Sequence, residues 1–481
     1  MKILPLFLFT LLASAQPSTE WVRCLGGTLS EHATNIKATS DGGCIVIGTT
    51  SSDNGDITDP PGYIDFWIVK LSTTGTIQWQ KTLGSLNTDY ANAIEQTSDG
   101  GYIFTGMAGS SNGDVTPSTF GSQIWVVKLN SAGDIQWQNT FGGSQEEYAY
   151  SIRQTTDGGY VVAGSSSSAD GGVTGNHGNF DVWIIKLSGT GTLQWQKSYG
   201  GNGYDEAYSI RQTSDGGYIV AAYTESNNGN VTGFHGFYDI WVLKLNALGN
   251  LTWQKTLGGS GQERPNDIII TNDNNYLVAG MTMSIDGDAT GNDGVLDAWV
   301  IKLNPAGVIQ WQKTYGGAGS ETATGVVQTA NGFAFSGITD SSESGDITGS
   351  HPNYDAWVFE TDLSGTIQWQ KYMGTDSIDA FKSIDQTAGG NLIMAGSSMG
   401  TSIEGAAGHG SEDYLVVKLK PSLAAPDFTD TTGLAAYPNP VNYILHFSNG
   451  DVEKAEILDI GGRLLYSRAV YGNSIDLQGM A

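Results

Sequence analysis

The chain has 481 residues, with 22 Lys and Arg against 49 Asp and Glu, a formal net charge of −27. So acidic a balance excludes nucleic acid and anionic membrane surfaces as partners, because both require a cationic face. Glycine is abundant at 67 residues while proline is held to 12, which points to many tight turns rather than to disorder.

Residues 1–15 read MKILPLFLFTLLASA: one Lys, a short apolar run, then Ala13-Ser14-Ala15. This pattern predicts a secretory signal peptide cleaved before Gln16. The run is too short to span a bilayer and no other stretch approaches the required length, so no transmembrane span is expected. The two cysteines, Cys24 and Cys44, fall in different registers of the repeat described next. They read as small buried apolar residues, with a disulfide as the alternative.

From Trp21 onward one interval governs the chain. Trp-Gln recurs at Trp79, Trp137, Trp195, Trp253, Trp311 and Trp369, with Trp21 heading the series. A second series holds Trp67, Trp125, Trp183, Trp241, Trp299 and Trp357, with Leu415 in its seventh place. Each step is 58 residues, a period that signals a repeat architecture. Within one unit, residues 89–137, YANAIEQT predicts a strand, Ser98-Asp99-Gly100-Gly101 a hairpin turn, and GYIFTGMAG the returning strand. A polar loop, the strand IWVVKLN, the turn SAGD and the strand DIQWQNTFGG complete four strands, the content of a β-propeller blade.

The last unit lacks its Trp-Gln strand, and EWVRCLGG (Glu20–Gly27) precedes the first unit as an orphan of that kind. The expected fold is therefore all-β: a seven-bladed propeller over residues 16–422, closed by its N-terminal strand. Tryptophans copied in every blade are expected to pack between blades, each burying about 150–250 Å².

Three polar rings repeat with the blades. Glu31, Asp89, Glu147, Asp205, Glu263, Glu321 and Asp379 precede the innermost strands, where they are expected to ring the channel mouth as binding groups. Backbone amides of the adjoining blade, or bound cations, would offset their repulsion. The loops carrying Asp53, Asp56, Asp114, Asp170, Asp286, Asp288 and Asp346 alternate Asp, Asn and Gly, as calcium-binding loops do. Calcium is thus a candidate cofactor, and ordinary turn formation is the alternative. His177, His235, His351 and His409 each precede an Asp of the third strand, which predicts a His–Asp hydrogen bond tying loop to strand. No lone catalytic constellation stands out: Cys-x-x-Cys, His-Glu-x-x-His and the P-loop are all missing from the sequence.

After a polar linker at 423–436 come Tyr437-Pro438-Asn439-Pro440, the strand YILHF, the turn Asp459-Ile460-Gly461-Gly462-Arg463, and NSIDLQGM. Residues 437–481 resemble the type A C-terminal sorting domain of the type IX secretion system. The resemblance implies a small β-sandwich-like domain, contact with that secretion machinery, and an extracellular or outer-membrane-surface location. The family's domain continues into a Gly-x-Tyr hairpin and a basic final strand, so this copy is expected to be incomplete. The repeats also look like the Gly-rich repeat proteins of such secretomes. Two functions follow as expectations: a non-catalytic surface module binding a glycan or a protein, or an endoglucanase-like hydrolase using carboxylates at the channel mouth.

Overall fold

The computed structural model describes residues 16–58, 62–109, 113–116, 122–342, 344–348 and 353–421, and thereafter only the strands named below. The described residues of 16–421 form seven four-stranded antiparallel sheets, the blades of a β-propeller. Blade 3 shows the pattern, with strands Glu147–Gln154, Tyr160–Ser166, Asp181–Leu187 and Leu193–Tyr199. The innermost strands of blades 1, 2, 4, 5, 6 and 7 begin at Glu31, Tyr90, Asp205, Glu263, Glu321 and Asp379. Blade 7 takes its fourth strand from the other end of the chain. Thr19–Leu25 pairs with Asp413–Leu419, placing Trp21 opposite Lys418 and Cys24 opposite Leu415. Closure of this kind removes the open edges that a row of sheets would otherwise present.

The two tryptophan series have separate tasks. Trp67, Trp125, Trp183, Trp241, Trp299 and Trp357 are fully buried, and Leu415 fills the same place in blade 7. Their indole N–H groups need acceptors, and in five of the six blades that carry the pair the Gln of Trp-Gln supplies one. Trp183 Nε1 donates to Gln196 at 2.8 Å, and the same bond joins Trp67 to Gln80, Trp125 to Gln138, Trp241 to Gln254 and Trp299 to Gln312. The outer series instead packs on the next blade: Trp137 meets Tyr160 at 5.7 Å and Trp195 meets Tyr218 at 5.8 Å. The turn glycine of that next blade lies against the same indole. At Gly191, φ is +78° and a Cβ would fall 2.7 Å from Trp137, so both geometry and space exclude a side chain.

In five blades a buried lysine of the third strand ties down the turn between the first two. Lys186 Nζ reaches Asp157 of the Asp-Gly-Gly turn at 2.9 Å, and the pair recurs as Lys70–Asp41, Lys128–Asp99, Lys244–Asp215 and Lys302–Asp273. Partial burial opposes the charge on Asp157, yet Thr155, Lys186 and the Gly159 N–H hold its carboxyl at about 2. Blade 6 changes both partners together. Glu360 replaces the lysine, Asn331 replaces the turn aspartate, and Glu360 accepts from Thr329 and from Trp369 Nε1. Cys24 and Cys44 are free and buried, and burial pushes both thiols up to about 12.

Residues 423–481 form a second compact unit. In it Ala436–Tyr437, Ile444–Phe447 and Ser474–Asp476 make a three-stranded sheet, and Lys454–Leu458 pairs with Leu464–Ala469. The expected leader at 1–15 and the motif residues Pro438, Asn439, Pro440, Asp459, Gly461, Gly462 and Arg463 lie outside the described residues, as does His351. Among the described residues no helix is long and apolar enough to cross a membrane.

Candidate functional site at the channel mouth

Strand alternation decides what faces the channel. In blade 3, Glu147 and Ala149 are buried, while Tyr148, Tyr150 and Arg153 are partly exposed. A register shift between Ala149 and Ser151 leaves Tyr150 unpaired with the second strand, and every blade carries this bulge. The extra residue is aimed inward. Around the ring it is Thr34, Asn92, Tyr150, Tyr208, Asn266, Thr324 and Lys382, which all line one central cavity of about 350 Å³. Here the repeat keeps its spacing and abandons its chemistry.

The departure concentrates in blades 3 to 5. The rings of Tyr150 and Tyr208 stack at 4.8 Å with a 13° interplanar angle, and Tyr148 continues the stack at 6.4 Å. Tyr208 meets Tyr223 at 6.0 Å, and the Arg264 guanidinium lies 4.8 Å over Tyr223 and 5.3 Å over Tyr238. Beside them Phe180 stacks on Tyr204 at 5.9 Å. Glu206 sits within this cluster and accepts from the hydroxyls of Tyr150 (3.2 Å) and Tyr223 (3.0 Å). Burial raises its carboxyl, opposed by those hydroxyls and by Arg264. Tyr204, Phe237 and Tyr90 remain exposed on the same loop face. The result is an aromatic cluster with Glu206 and Arg264 among its rings, reaching the central cavity through Tyr150 and Tyr208.

The carboxylate ring is placed elsewhere than the sequence suggested. Glu31, Asp89, Glu147, Asp205, Glu263, Glu321 and Asp379 are each 0% exposed, so none forms a channel-mouth rim. Each accepts the backbone N–H of the residue four positions earlier, as Glu147 does from Gly143 at 3.0 Å and Asp379 from Thr375 at 2.7 Å. Most also accept a hydroxyl of the second strand, as Glu147 does from Ser166. The cavity is lined instead from the bulge three residues later in each strand, with His32 and Thr322 one residue later also on the lining. The ring latches each blade to the chain arriving from its neighbour. That placement removes the residues on which the hydrolase expectation rested.

The loop aspartates serve the same seam. Asp56 and Asp114 accept the N–H of Gly26 (3.1 Å) and Gly84 (3.2 Å). Asp170 and Asp286 accept from Ser144 (2.8 Å) and Ser260 (2.7 Å). Asp288 and Asp346 donate their own N–H to Gly258 and Gly316, and Asp53 is exposed beside Asn54. Among the described residues no three acidic, histidine or cysteine side chains are gathered as a metal would require. Two of the four histidines make the bond their spacing predicts: His177 Nδ1 lies 2.6 Å from Asp181 and His235 Nδ1 lies 2.9 Å from Asp239, whereas the His409 ring stands 3.7 Å from Asp413 and only its backbone N–H donates to that carboxylate.

No family model matches the chain. The regulatory protein FlaEY of Caulobacter vibrioides is 23% identical over 348 residues, which is 66% of this chain. The match spans about a third, 35%, of that relative's length. Among solved structures, the Pan2 WD40 domain of Neurospora crassa covers 83% of the chain at 11% identity and a TM-score of 0.45, with 96% of its own length covered. An ulvan lyase of polysaccharide lyase family 25 covers 81% at 12% identity and TM-score 0.45, with 97% of its own length covered. A Bacteroides caccae protein of unknown function covers 68% at 14% identity and TM-score 0.36, with 93% of its length covered. The propeller is read from the seven sheets themselves, and nothing about this chain's role is taken from these likenesses.

Proposed function

We propose that this chain is an exported, non-catalytic binding module that receives a glycan on the loop face of its propeller, over blades 3 to 5. The observation that carries the reading is the Tyr148–Tyr150–Tyr208 stack at a channel mouth where an otherwise strict repeat varies. Flat aromatic faces rimmed by hydroxyls, Arg264 and Glu206 suit sugar rings, which present apolar faces and polar edges. Tyrosine has few rotatable bonds, so ordering it on binding is inexpensive. The leader-like N-terminus and the resemblance of residues 437–481 to a type IX sorting domain support export and a place at or beyond the outer membrane.

The test is affinity electrophoresis of the full chain through gels containing a panel of polysaccharides. At least one polymer should retard it, and Tyr150→Ala/Tyr208→Ala should abolish the retardation while circular dichroism stays unchanged. Should that pair unfold the blade, exposed Tyr204→Ala should still weaken the effect several-fold. No retardation by any polymer would refute the glycan. Release of new reducing ends from a retarding polymer would replace binding by cleavage, with Glu206 the first acid to substitute.

A further inference from the structure

Beyond the tyrosines the channel changes character. Three residues past the bulge, the innermost strands carry Lys37, Glu95, Arg153, Arg211, Ile269, Val327 and Asp385. Three cations from blades 1, 3 and 4 thus converge inside a chain of net charge −27. Arg211 is fully engaged: its Nη2 lies 2.7 Å from Asp267, and its Nη1 donates to Ser209 and to the Ile210 carbonyl. Lys37 Nζ stands 3.8 Å from Asp385 Oδ2, outside hydrogen-bond reach, and that oxygen already accepts the Ala38 N–H at 2.9 Å. Arg153 Nε is buried and has no hydrogen-bond partner among the described residues. Glu95 is turned to the Gln154 N–H at 2.9 Å.

The electrostatics agree with this geometry. Burial would push the Asp267 carboxyl up, yet Arg211, Arg153 and Lys37 together hold it below its ordinary value. Burial, with Arg153 as the next cause, brings Arg211 down to about 10, and Lys37 is lowered as well. Lys37 and Arg153 both line the cavity of about 350 Å³, and Lys382 lines it too. Buried donors without acceptors are unfavourable and gain from an acceptor supplied in trans.

We propose that the inner channel is an oxyanion pocket in which Arg153 and Lys37 receive the carboxylate or sulfate of a glycan's acidic end, the adjoining sugars lying on the tyrosines. This rests on the glycan reading above. The cavity lies at the small end of the range for ligand pockets and suits one terminal sugar. A densely charged polyanion would meet the repulsion of the whole acidic molecule, whereas a single terminal anion meets a lining in which Lys37, Arg153 and Lys382 outnumber the one carboxylate, Asp267.

Titration calorimetry on the full chain at fixed ionic strength tests this with D-glucuronate, inorganic sulfate, D-glucose and sodium chloride. Glucuronate or sulfate should bind and glucose and chloride should not; which of the two binds identifies the oxyanion. Arg153→Gln and Lys37→Met should each weaken that binding at least tenfold, with far-ultraviolet circular dichroism confirming the fold. An affinity unchanged by both substitutions, or no anion bound beyond chloride, would overturn the pocket. If a neutral polymer still retards the chain in that case, the glycan site stands without its anionic end. Anion binding with no polymer retarded would instead refute the glycan reading and this proposal with it.

Discussion

At the scale of the residue, the chain repeats a problem and its solution together. Burying an indole creates an N–H that must find an acceptor, and the Gln beside the outer Trp provides it in five blades. Removing the acceptor leaves the donor buried, so Gln196→Leu should cost about 1–3 kcal/mol. Blade 6 supplies an internal control. Trp357 Nε1 has no hydrogen-bond partner among the described residues; Gln370 donates to Thr348 and the Asp346 carbonyl, and its Oε1 accepts the hydroxyl of the part-buried Tyr372 in place of a fully buried indole. Gln370→Leu should therefore destabilise less than Gln196→Leu, by about 1 kcal/mol. Denaturant midpoints of the two variants decide it, and equal losses would mean the Gln acts by packing alone.

At the scale of the element, the closing strand carries the sharpest prediction. Trp21, Val22, Cys24 and Leu25 are buried, and Trp21 Nε1 donates to Thr73 of blade 1 at 3.0 Å. Deleting residues 16–25 would expose Asp413–Leu419 as an unpaired edge and open the ring. The expected outcome is self-association on size-exclusion chromatography and loss of a single cooperative melt. A monomer with an unchanged melt would show that closure contributes little. This strand was legible from the sequence, because Glu20–Gly27 copies a motif that blade 7 lacks. So were the blades and the buried tryptophans, each of them a property of period. The candidate site was not, because the chemistry that repeats serves the blade seams and the register lining the channel varies from blade to blade. Thr34, Asn92, Tyr150, Tyr208, Asn266, Thr324 and Lys382 share a register and little else, and only the bulge shows that this register faces the channel. Reading the 58-residue period for positions that vary in kind would have brought the tyrosines forward.

At the scale of the whole molecule, acids at the blade seams set the pH response. At the seam of blades 5 and 6, Asp297 Oδ1 and Glu321 Oε2 lie 2.5 and 2.6 Å from where a Cβ on Gly316 would stand, so two carboxyls crowd one glycine. Burial, with Glu321, Asp293 and Asp346 adding to it, raises Asp297 from 3.8 to about 6. Burial also raises Asp89, Glu147, Asp181, Asp205, Asp239, Glu263 and Asp379. A raised carboxyl keeps its proton longer in the folded state than in the unfolded one. Stability therefore falls as pH climbs from about 4 to about 6. The lysine-paired aspartates act oppositely. With Asp41, Asp99, Asp157, Asp215 and Asp273 held at about 2, their contribution is present above the ordinary aspartate value and is lost as pH falls toward 2. The two trends place maximum stability near pH 4, on the acid side of the usual range. The melting temperature should thus be higher at pH 4.5 than at pH 7.5. For Asp297 alone the displacement is on the order of 3 kcal/mol at neutral pH. Asp297→Asn removes that charge and keeps an oxygen for the Asp293 N–H, which Asp297 accepts at 3.0 Å. It should raise the melt at pH 7.5, leave it nearly unchanged at pH 4.5, and shrink the gap between them. A wild-type protein that melts higher at pH 7.5 than at pH 4.5 would mean that the seam carboxylates are better compensated by their backbone N–H donors than their burial implies.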